Sequence, residues 1–216
     1  MTNHLTKTMA LSSAMSVMLA ILRLQWSGSL FGVFLIWNLF LAWLPFIFAL
    51  LLSKADKSGA TRLKKVALFS AWLLFFPNSP YILTDLFHLR LRADIPLWFD
   101  LILILSFAWN GLLLGYASLF EIQHFLKTKL SAPTVNLFVA ALMVLCSFGI
   151  YLGRYPRRNS WDIITNPIAL FTDIFQMLIH PMHNTRMIGV TFFFSLFLIF
   201  GYYTLRTLIH HKHNEQ

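Results

Sequence analysis

Apolar runs long enough to cross a bilayer constrain this chain more than any other feature of its sequence. A helix needs about 20 mostly apolar residues to cross the hydrocarbon core of a membrane, and by that measure the sequence predicts about six spans. They lie near residues 8–22, 30–52, 66–84, 97–120, 134–153 and 188–208. The predicted fold is therefore all-α: a polytopic transmembrane helical bundle that forms one integral membrane domain over residues 1–216.

The composition agrees with an exterior that faces lipid. Hydrophobic residues make up 58% of the chain and charged residues 12%, whereas a water-soluble domain carries about a quarter charged residues. The net charge of +9 is divided among short clusters between the apolar runs. This pattern favours contact with anionic lipid head groups and argues against nucleic-acid binding. Membrane lipids, anionic ones in particular, are therefore the predicted partners, and protein partners remain open.

The first apolar run raises two questions, one of processing and one of orientation. The run near Thr8–Leu22 is short enough to resemble a signal peptide, but no A-x-A-like cleavage site follows it and another span begins at once. We therefore expect a retained first span. Lys and Arg are somewhat more frequent in the segments on the side of the N-terminus, which predicts that both termini are cytoplasmic.

Two prolines interrupt the third span. Pro77 lacks an amide proton and clashes with the preceding turn, so the helix is predicted to stop or bend there. Ser79 is then predicted to cap a new helix that begins with Pro80. A broken helix at membrane depth is tolerated only where its freed backbone groups are buried in protein or meet water. The break at Pro77–Pro80 is thus the most informative irregularity in the sequence.

Polar residues recur at helical spacing directly after this break. Tyr81, Asp85, His88 and Arg92 would share an arc of about 60° if one α-helix carried them all. One interpretation is a polar site at the outer mouth of the bundle, which holds an anionic head group or a proton-transfer pair. The other is a network of neighbouring side chains that orients a helix end at the head groups.

The longest connection between spans begins with three arginines. Arg154, Arg157 and Arg158 follow the fifth span directly and could bind a phosphate group. Alternatively, they extend to the head groups beside Trp161 as an interface anchor. Further along, residues 168–180 are predicted to form an amphipathic helix that is too short to span, at about 20 Å, and that suits the membrane interface. Asn166 is its predicted N-cap and Pro167 its first-turn proline.

The spans themselves carry groups that suit helix packing. Asn38, Asn78 and Asn110 are predicted to form interhelical hydrogen bonds, and Gly111 and Gly115 to let another helix approach closely. No acidic or basic residue lies in the central part of any clear span, which argues against a coupled transporter.

The candidate ligand site combines the two polar regions on the extracytoplasmic side. Its predicted residues are Asn78, Tyr81, Asp85 and His88, with Arg154 or Asp162 opposite. The predicted ligand is an anionic lipid or a lipid-linked molecule. Two alternatives remain open: a membrane-embedded hydrolase or transferase with Asp85 and His88 as catalytic base and partner, and a non-catalytic assembly subunit that presents the interfacial helix to a partner.

Metal ligation is a weaker alternative. His88, His180, His183 and Asp173 are acceptable zinc ligands, but they lie in different segments and match no H-E-x-x-H pattern. The sequence contains neither a P-loop nor a G-x-S-x-G motif. No cofactor is predicted, and the question of enzymatic activity stays open.

Two segments carry a family resemblance. Phe76–Arg90 and Gly149–Pro167 resemble an uncharacterised bacterial family of integral membrane proteins, domain of unknown function 1361. The pattern P-N-x-P-Y-x-x-T-D-x-x-H, here Pro77 to His88, is its most specific part, and the likeness extends from roughly the second span to the sixth. The resemblance implies a bacterial plasma-membrane location and a compact helical bundle. It implies no activity, cofactor or catalytic residue.

Overall fold

The computed structural model describes residues 2–158 and 162–214, and within them the all-α prediction is confirmed. The α-helices are α1 Thr2–Ser27, α2 Val33–Lys57, α3 Arg62–Phe75, α4 Asn78–Tyr81, α5 Leu97–Lys127, α6 Ala132–Arg154, α7 Asp162–Thr165, α8 Pro167–Ile179 and α9 Thr185–Asn214. Two 3-10 helices, Ile82–His88 and Pro181–Asn184, complete the described elements.

The described residues contain six helical stretches that are long and apolar enough to cross a membrane, which confirms the predicted number of spans. Each overlaps one predicted span. The first stretch, His4–Ser27, is longer than the apolar run that predicted it, because the helix continues through polar residues at both ends. Its 24 residues reach about 36 Å, enough to cross the hydrocarbon core.

The helices group into two compact units, one that runs to Phe125 and one that begins at Leu126. That the whole chain forms a single domain stays a prediction. In the first unit, aliphatic and aromatic side chains of α1, α2 and α5 form the core. The members with the least exposure include Leu35, Phe46, Leu103, Ile104, Phe107 and Leu114.

The predicted break in the third span is present. Helix α3 ends at Phe75, and the single turn of α4 and the 3-10 helix follow. Ser79 does not cap a helix, however: its buried hydroxyl donates a hydrogen bond to the Ala42 carbonyl of α2, 2.9 Å away. The capping prediction was wrong because Pro77 keeps helical torsion angles and the Ser79 amide already donates to the Phe76 carbonyl. The hydroxyl thereby ties the break to a neighbouring helix.

The two glycines of α5 allow the segment at the helix break, which contains Ser79, to pack closely against α5. A methyl group built on Gly111 would lie 2.5 Å from the Ser79 carbonyl oxygen, and one on Gly115 would lie 3.1 Å from the Ser79 Cβ. Real Cβ atoms do not approach a backbone oxygen as closely as 2.5 Å. The predicted close-packing surface is therefore confirmed, and its partner is the helix break.

In the second unit, α6 packs along α9, and α8 forms the predicted short amphipathic helix. Asn166 precedes it and Pro167 opens it, as expected, although the Asn166 side chain makes no capping hydrogen bond. Leu170 is buried, whereas Phe171 and Phe175 are 58% and 61% exposed. An apolar stripe this exposed suits a helix that lies against acyl chains, although its interfacial position stays a prediction.

The Gly111 contact predicts a specific loss of stability. Gly111→Ala should lower the free energy of unfolding by about 1–3 kcal/mol, because either the break or α5 must move away from the added methyl group. Gly189→Ala is the matched control, since it makes the same change in a helix with no atom within 4 Å of the new Cβ. Thermal unfolding in detergent measures both. Equal melting temperatures for the two variants would contradict the close contact.

Candidate functional site

A buried carboxylate at the start of α5 organises one end of the first unit. Asp100 is 1% exposed and accepts a hydrogen bond from Arg23 Nε on Oδ1 at 2.7 Å and one from Arg92 Nη1 on Oδ2 at 2.7 Å. Arg23, on α1, is itself 1% exposed, while Arg92 keeps 28% of its side chain exposed. We call these three residues the arginine–aspartate cluster. Their interactions join the end of α1 to the start of α5 and to the segment after the 3-10 helix.

An aromatic ring completes the cluster. The ring centroid of Phe31 lies 4.4 Å from the Arg23 guanidinium carbon and 3.7 Å from that of Arg92. Cations near an aromatic face are attracted by its quadrupole, and more strongly where water is excluded. Arg23 also donates to the Ser27 hydroxyl and the Phe31 carbonyl, each at 3.3 Å. The connection between α1 and α2 is thus bound to the same guanidinium groups.

The charges of the cluster do not cancel. Two guanidinium groups share one carboxylate, so one positive charge is left over. Arg23 is 1% exposed, and the net charge therefore reaches the surface through Arg92. The cluster orders this end of the unit and presents one partly exposed cation there.

Asp85 and His88, the candidate catalytic pair, lie on the neighbouring 3-10 helix. The Asn38 side chain of α2 donates to Asp85 Oδ2 at 2.8 Å, and Asp85 is 1% exposed. The His88 ring packs edge-on against Phe34, with centroids 5.1 Å apart. The three-residue repeat of a 3-10 helix places residues 85 and 88 on the same face. The Asn38 contact confirms an interhelical hydrogen bond, and a catalytic role for the pair stays a prediction.

The single helical arc expected for Tyr81 to Arg92 is absent. The 3-10 helix ends at His88 because Leu89 is extended, with φ −66° and ψ 116°, and Arg92 follows beyond it. A weak hydrogen bond from Arg92 Nη2 to the His88 carbonyl, 3.4 Å long, still holds the two residues together. Tyr81 is half-buried at the end of α4.

The other predicted site residues have different surroundings. The half-buried Asn78 donates locally to the Phe75 carbonyl at 3.0 Å, so that bond does not join two spans. Asn110 does join two: it donates to the Ser16 hydroxyl of α1 at 3.0 Å. Arg154 is the last residue of α6 and Asp162 the first of α7, both in the second unit. Whether they complete a pocket with Asp85 and His88 stays a prediction.

In the second unit, Arg158 pairs with an acidic residue of α8. Arg158 Nε donates to Asp173 Oδ2 on α8 at 2.9 Å, and both side chains are partly exposed. The Arg186 guanidinium lies 5.4 Å from the ring centroid of Tyr155. Trp161, the predicted interface anchor, lies outside the described residues.

Two concave surfaces lie beside α8 and the start of α9. A polar pocket of about 500 Å³ is lined by Asp173, Gln176, Met177, His180, His183 and Asn184. An apolar groove of about 770 Å³ is lined mainly by aliphatic and aromatic side chains of α6, α8 and α9, among them Leu145, Phe148, Ile174, Leu178, Met187 and Ile188. We refer to them as the polar pocket and the apolar groove.

The metal candidates do not form a ligand set in the described part of the chain. His180 and His183 come together, with ring centroids 5.9 Å apart, but the Asp173 carboxylate beside them is engaged by Arg158. Among the described residues, no group of three or more His, Cys, Asp or Glu side chains could hold a metal ion.

Arg23 and Asp100 are the principal site residues that the sequence-based prediction missed. Each stands at the end of an apolar run with no oppositely charged residue within one helical turn. A charge of that kind needs a partner from another segment if it is buried. Successive crossings also bring the end of the first span and the start of the fourth to the same side of the membrane. Those two signals together point to the pair.

Six helical stretches in the described residues are long and apolar enough to cross a membrane, which indicates a multi-pass helical membrane protein. The chain belongs to the family described as "Protein of unknown function (DUF1361)", whose model matches residues 37–200. No curated protein and no solved structure matches the chain. The resemblance carried by Pro77–His88 is therefore confirmed, and the function has to be argued from the geometry alone.

Removing the shared carboxylate should destabilise the first unit. Asp100→Asn leaves the buried Arg23 without a counter-charge, which should cost about 3–5 kcal/mol of unfolding free energy. Asp94→Asn, an exposed change of the same kind, should stay within about 0.5 kcal/mol of the wild type. Both are measured by thermal unfolding in detergent.

A double variant tests whether the stranded charge causes the loss. Arg23→Met with Asp100→Leu removes both fully buried charges, and Arg92 can turn towards water because it is already partly exposed. This double variant should be clearly more stable than Asp100→Asn. A double variant less stable than Asp100→Asn would show that the cost lies in lost packing instead.

Proposed function

We propose that this protein binds an anionic lipid or a lipid-linked molecule, with the head group in the polar pocket and one chain in the apolar groove of the second unit. The observation that carries the proposal is that neighbouring residues of the same helices line these two surfaces. On α8, Asp173 and Met177 line the pocket while the next residues, Ile174 and Leu178, line the groove.

The same order holds along the segment that leads into α9. His183 and Asn184 line the polar pocket, and Met187, Ile188 and Thr191 follow within two turns and line the groove. An amphiphile changes from polar to apolar over a similarly short distance. The lining of the two surfaces also changes from polar to apolar, and the volumes of the pocket and the groove are within the range usual for ligand sites. The two surfaces together therefore fit an amphiphile better than a uniformly polar solute.

The charges of the pocket suit a phosphate-bearing head group. Arg158 neutralises Asp173, which leaves the His180 and His183 imidazoles as donors to a ligand oxygen. Arg186, at the start of α9, is exposed and adds positive charge to the same region. Guanidinium and imidazole groups are effective donors to phosphate oxygens.

One polar atom in the groove also fits a bound amphiphile. The Thr191 hydroxyl oxygen is buried and has no hydrogen-bond partner among the described residues, although it belongs to a residue that lines the groove. A buried hydroxyl without a partner carries a free-energy cost. A carbonyl or ester oxygen near the head of a lipid chain would supply the missing partner.

The orientation predicted from the sequence also assigns the pocket to one side of the membrane. The distribution of Lys and Arg predicts cytoplasmic termini, which would put this pocket on the extracytoplasmic side of the plasma membrane. Arg154 and Asp162 lie in the connection beside the pocket along the chain, which supports their proposed role as ligand-binding residues of the second unit.

Photo-crosslinking tests this function directly. Purified protein in phosphatidylcholine nanodiscs is given a small fraction of phosphatidylglycerol with a photoactivatable acyl chain, and the labelled peptides are identified by mass spectrometry. We expect labelling concentrated on α8 and α9 near Leu178 and Thr191. Label spread evenly over all lipid-facing helices would contradict the proposal.

A variant that fills the groove supplies the control. Ala141→Trp places a large side chain in the groove and should reduce labelling there severalfold. Leu137→Trp puts the same residue on the same helix, at a position that is 71% exposed and does not line the groove. It should leave the labelling unchanged. Equal labelling of both variants would show that no chain occupies the groove.

A further inference from the structure

A concave surface with charged side chains lies at the end of the first unit where α1 begins. A cleft of about 620 Å³ lies between the start of α1, the end of α2 and the last turns of α5. Lys54 and Lys57 line one part of it, and Glu121 and His124 another. We call it the lysine cleft. Since α1 runs the length of the unit, this cleft lies at the end opposite the arginine–aspartate cluster.

Opposite charges line the lysine cleft without pairing. Lys54 and Lys57 are exposed and Glu121 is half-buried, yet in the described part of the chain none of their side chains makes an ion pair or a hydrogen bond. Elsewhere at the same end, Lys65 does pair with Asp56 at 3.0 Å, so pairing occurs where geometry permits. The cleft thus keeps positive and negative groups apart on its walls.

This separation is complementary to a zwitterion. We propose that the lysine cleft binds a phosphoethanolamine group, with the phosphate against Lys54 and Lys57 and the ammonium group against Glu121. Phosphate oxygens accept charge-assisted hydrogen bonds from lysine, and an ammonium group donates them to a carboxylate. A simple anion would fill only the lysine half and would be repelled by Glu121.

The residues around the cleft indicate which molecule would carry the phosphoethanolamine group. Leu50 and Phe120 also line the cleft, so it joins apolar surface to charged groups at the end of two membrane-crossing helices. Basic pockets between membrane helices at the head-group level commonly hold phospholipid head groups. A phosphatidylethanolamine head group meets this geometry, and a free phosphoethanolamine shares the same recognition chemistry.

The site is independent of the proposed function, because it uses residues of the first unit only. Lipid binding to the lysine cleft depends on residues of α2 and α5. Binding to the polar pocket and the apolar groove depends on residues of α6, α8 and α9. Failure of one proposal therefore leaves the other standing.

The test titrates full-length protein in detergent with phosphatidylethanolamine and with phosphatidic acid of the same acyl chains, followed by native mass spectrometry. Lys54→Gln with Lys57→Gln should weaken binding of both lipids by about tenfold or more, given the usual contribution of a lysine near a lipid surface. Arg62→Gln with Lys64→Gln removes the same charge from exposed positions outside the cleft and should change neither.

Glu121→Gln distinguishes a zwitterion site from diffuse attraction of anions. The affinity for phosphatidylethanolamine should fall, because the ammonium group loses its carboxylate. The affinity for phosphatidic acid should rise, because repulsion is removed. Affinities that move in the same direction would overturn the proposal, as would an equal loss in the two double variants. Melting temperatures show which variants fold. If the lysine double variant does not fold, Glu121→Gln alone still tests the proposal.

A competition arm identifies the source of the group. Displacement of phosphatidylethanolamine by millimolar O-phosphoethanolamine would show that the cleft recognises the head group from either source. Binding of the lipid without such displacement would show that the acyl glycerol part is also needed. Absence of any lipid bound in the cleft, with the wild type no better than Lys54→Gln/Lys57→Gln, would overturn the proposal.

Discussion

The carboxylate of Asp100 constrains the first unit more than any other group. It lies out of water, and a buried charge is tolerated only with partners that replace its hydration. Arg23 supplies one partner from 77 residues away in the chain, and Arg92 supplies another from 8 residues away. Because Asp100 is the only acidic partner of the buried Arg23 in the described residues, the end of α1 and the start of α5 have to meet, and Arg92 brings the segment after the 3-10 helix to the same carboxylate. The ring of Phe31 between the two guanidinium groups then positions the start of α2.

A second constraint acts in the interior of the same unit, and it concerns the backbone. The prolines that break the third span leave polar groups at membrane depth, where each needs a partner. The break meets α5 where glycines remove the Cβ atoms, and the Ser79 hydroxyl bonds to the α2 backbone. The close approach allowed by Gly111 and the bond to Ala42 act on the same few residues. The broken segment is thus fixed from two sides, and it carries Asp85 to Asn38 at its far end.

Local patterns in the sequence predicted local features of the structure correctly. Hydropathy located the spans, Pro77 the break, and Asn166–Pro167 the start of α8, since each depends on residues that are close together in the chain. The errors concern features decided by distant contacts. Ser79 bonds to another helix instead of capping its own, and the chain leaves helical geometry at Leu89, so that Arg92 is free to reach Asp100. The pairing of Arg23 with Asp100 required topology as well as pattern. The grooves beside α8 and α2 were beyond prediction, because a concave surface depends on how several helices pack.

The placement of charge separates structural from binding roles in this protein. The buried Asp100 is satisfied by its arginines, and a ligand that competed for them would strand it, so the arginine–aspartate cluster suits a structural role. The lysine cleft and the polar pocket differ in this respect. The side chains of Lys54, Lys57 and Glu121 make no ion pair or hydrogen bond within the described residues, and His180 and His183 lie beside an Asp173 that is already neutralised. Groups that remain available at the head-group level can gain energy from a ligand without loss to the fold. We therefore expect ligands to bind at the lysine cleft and the polar pocket. The paired charges of the arginine–aspartate cluster instead stabilise the packing of the helices.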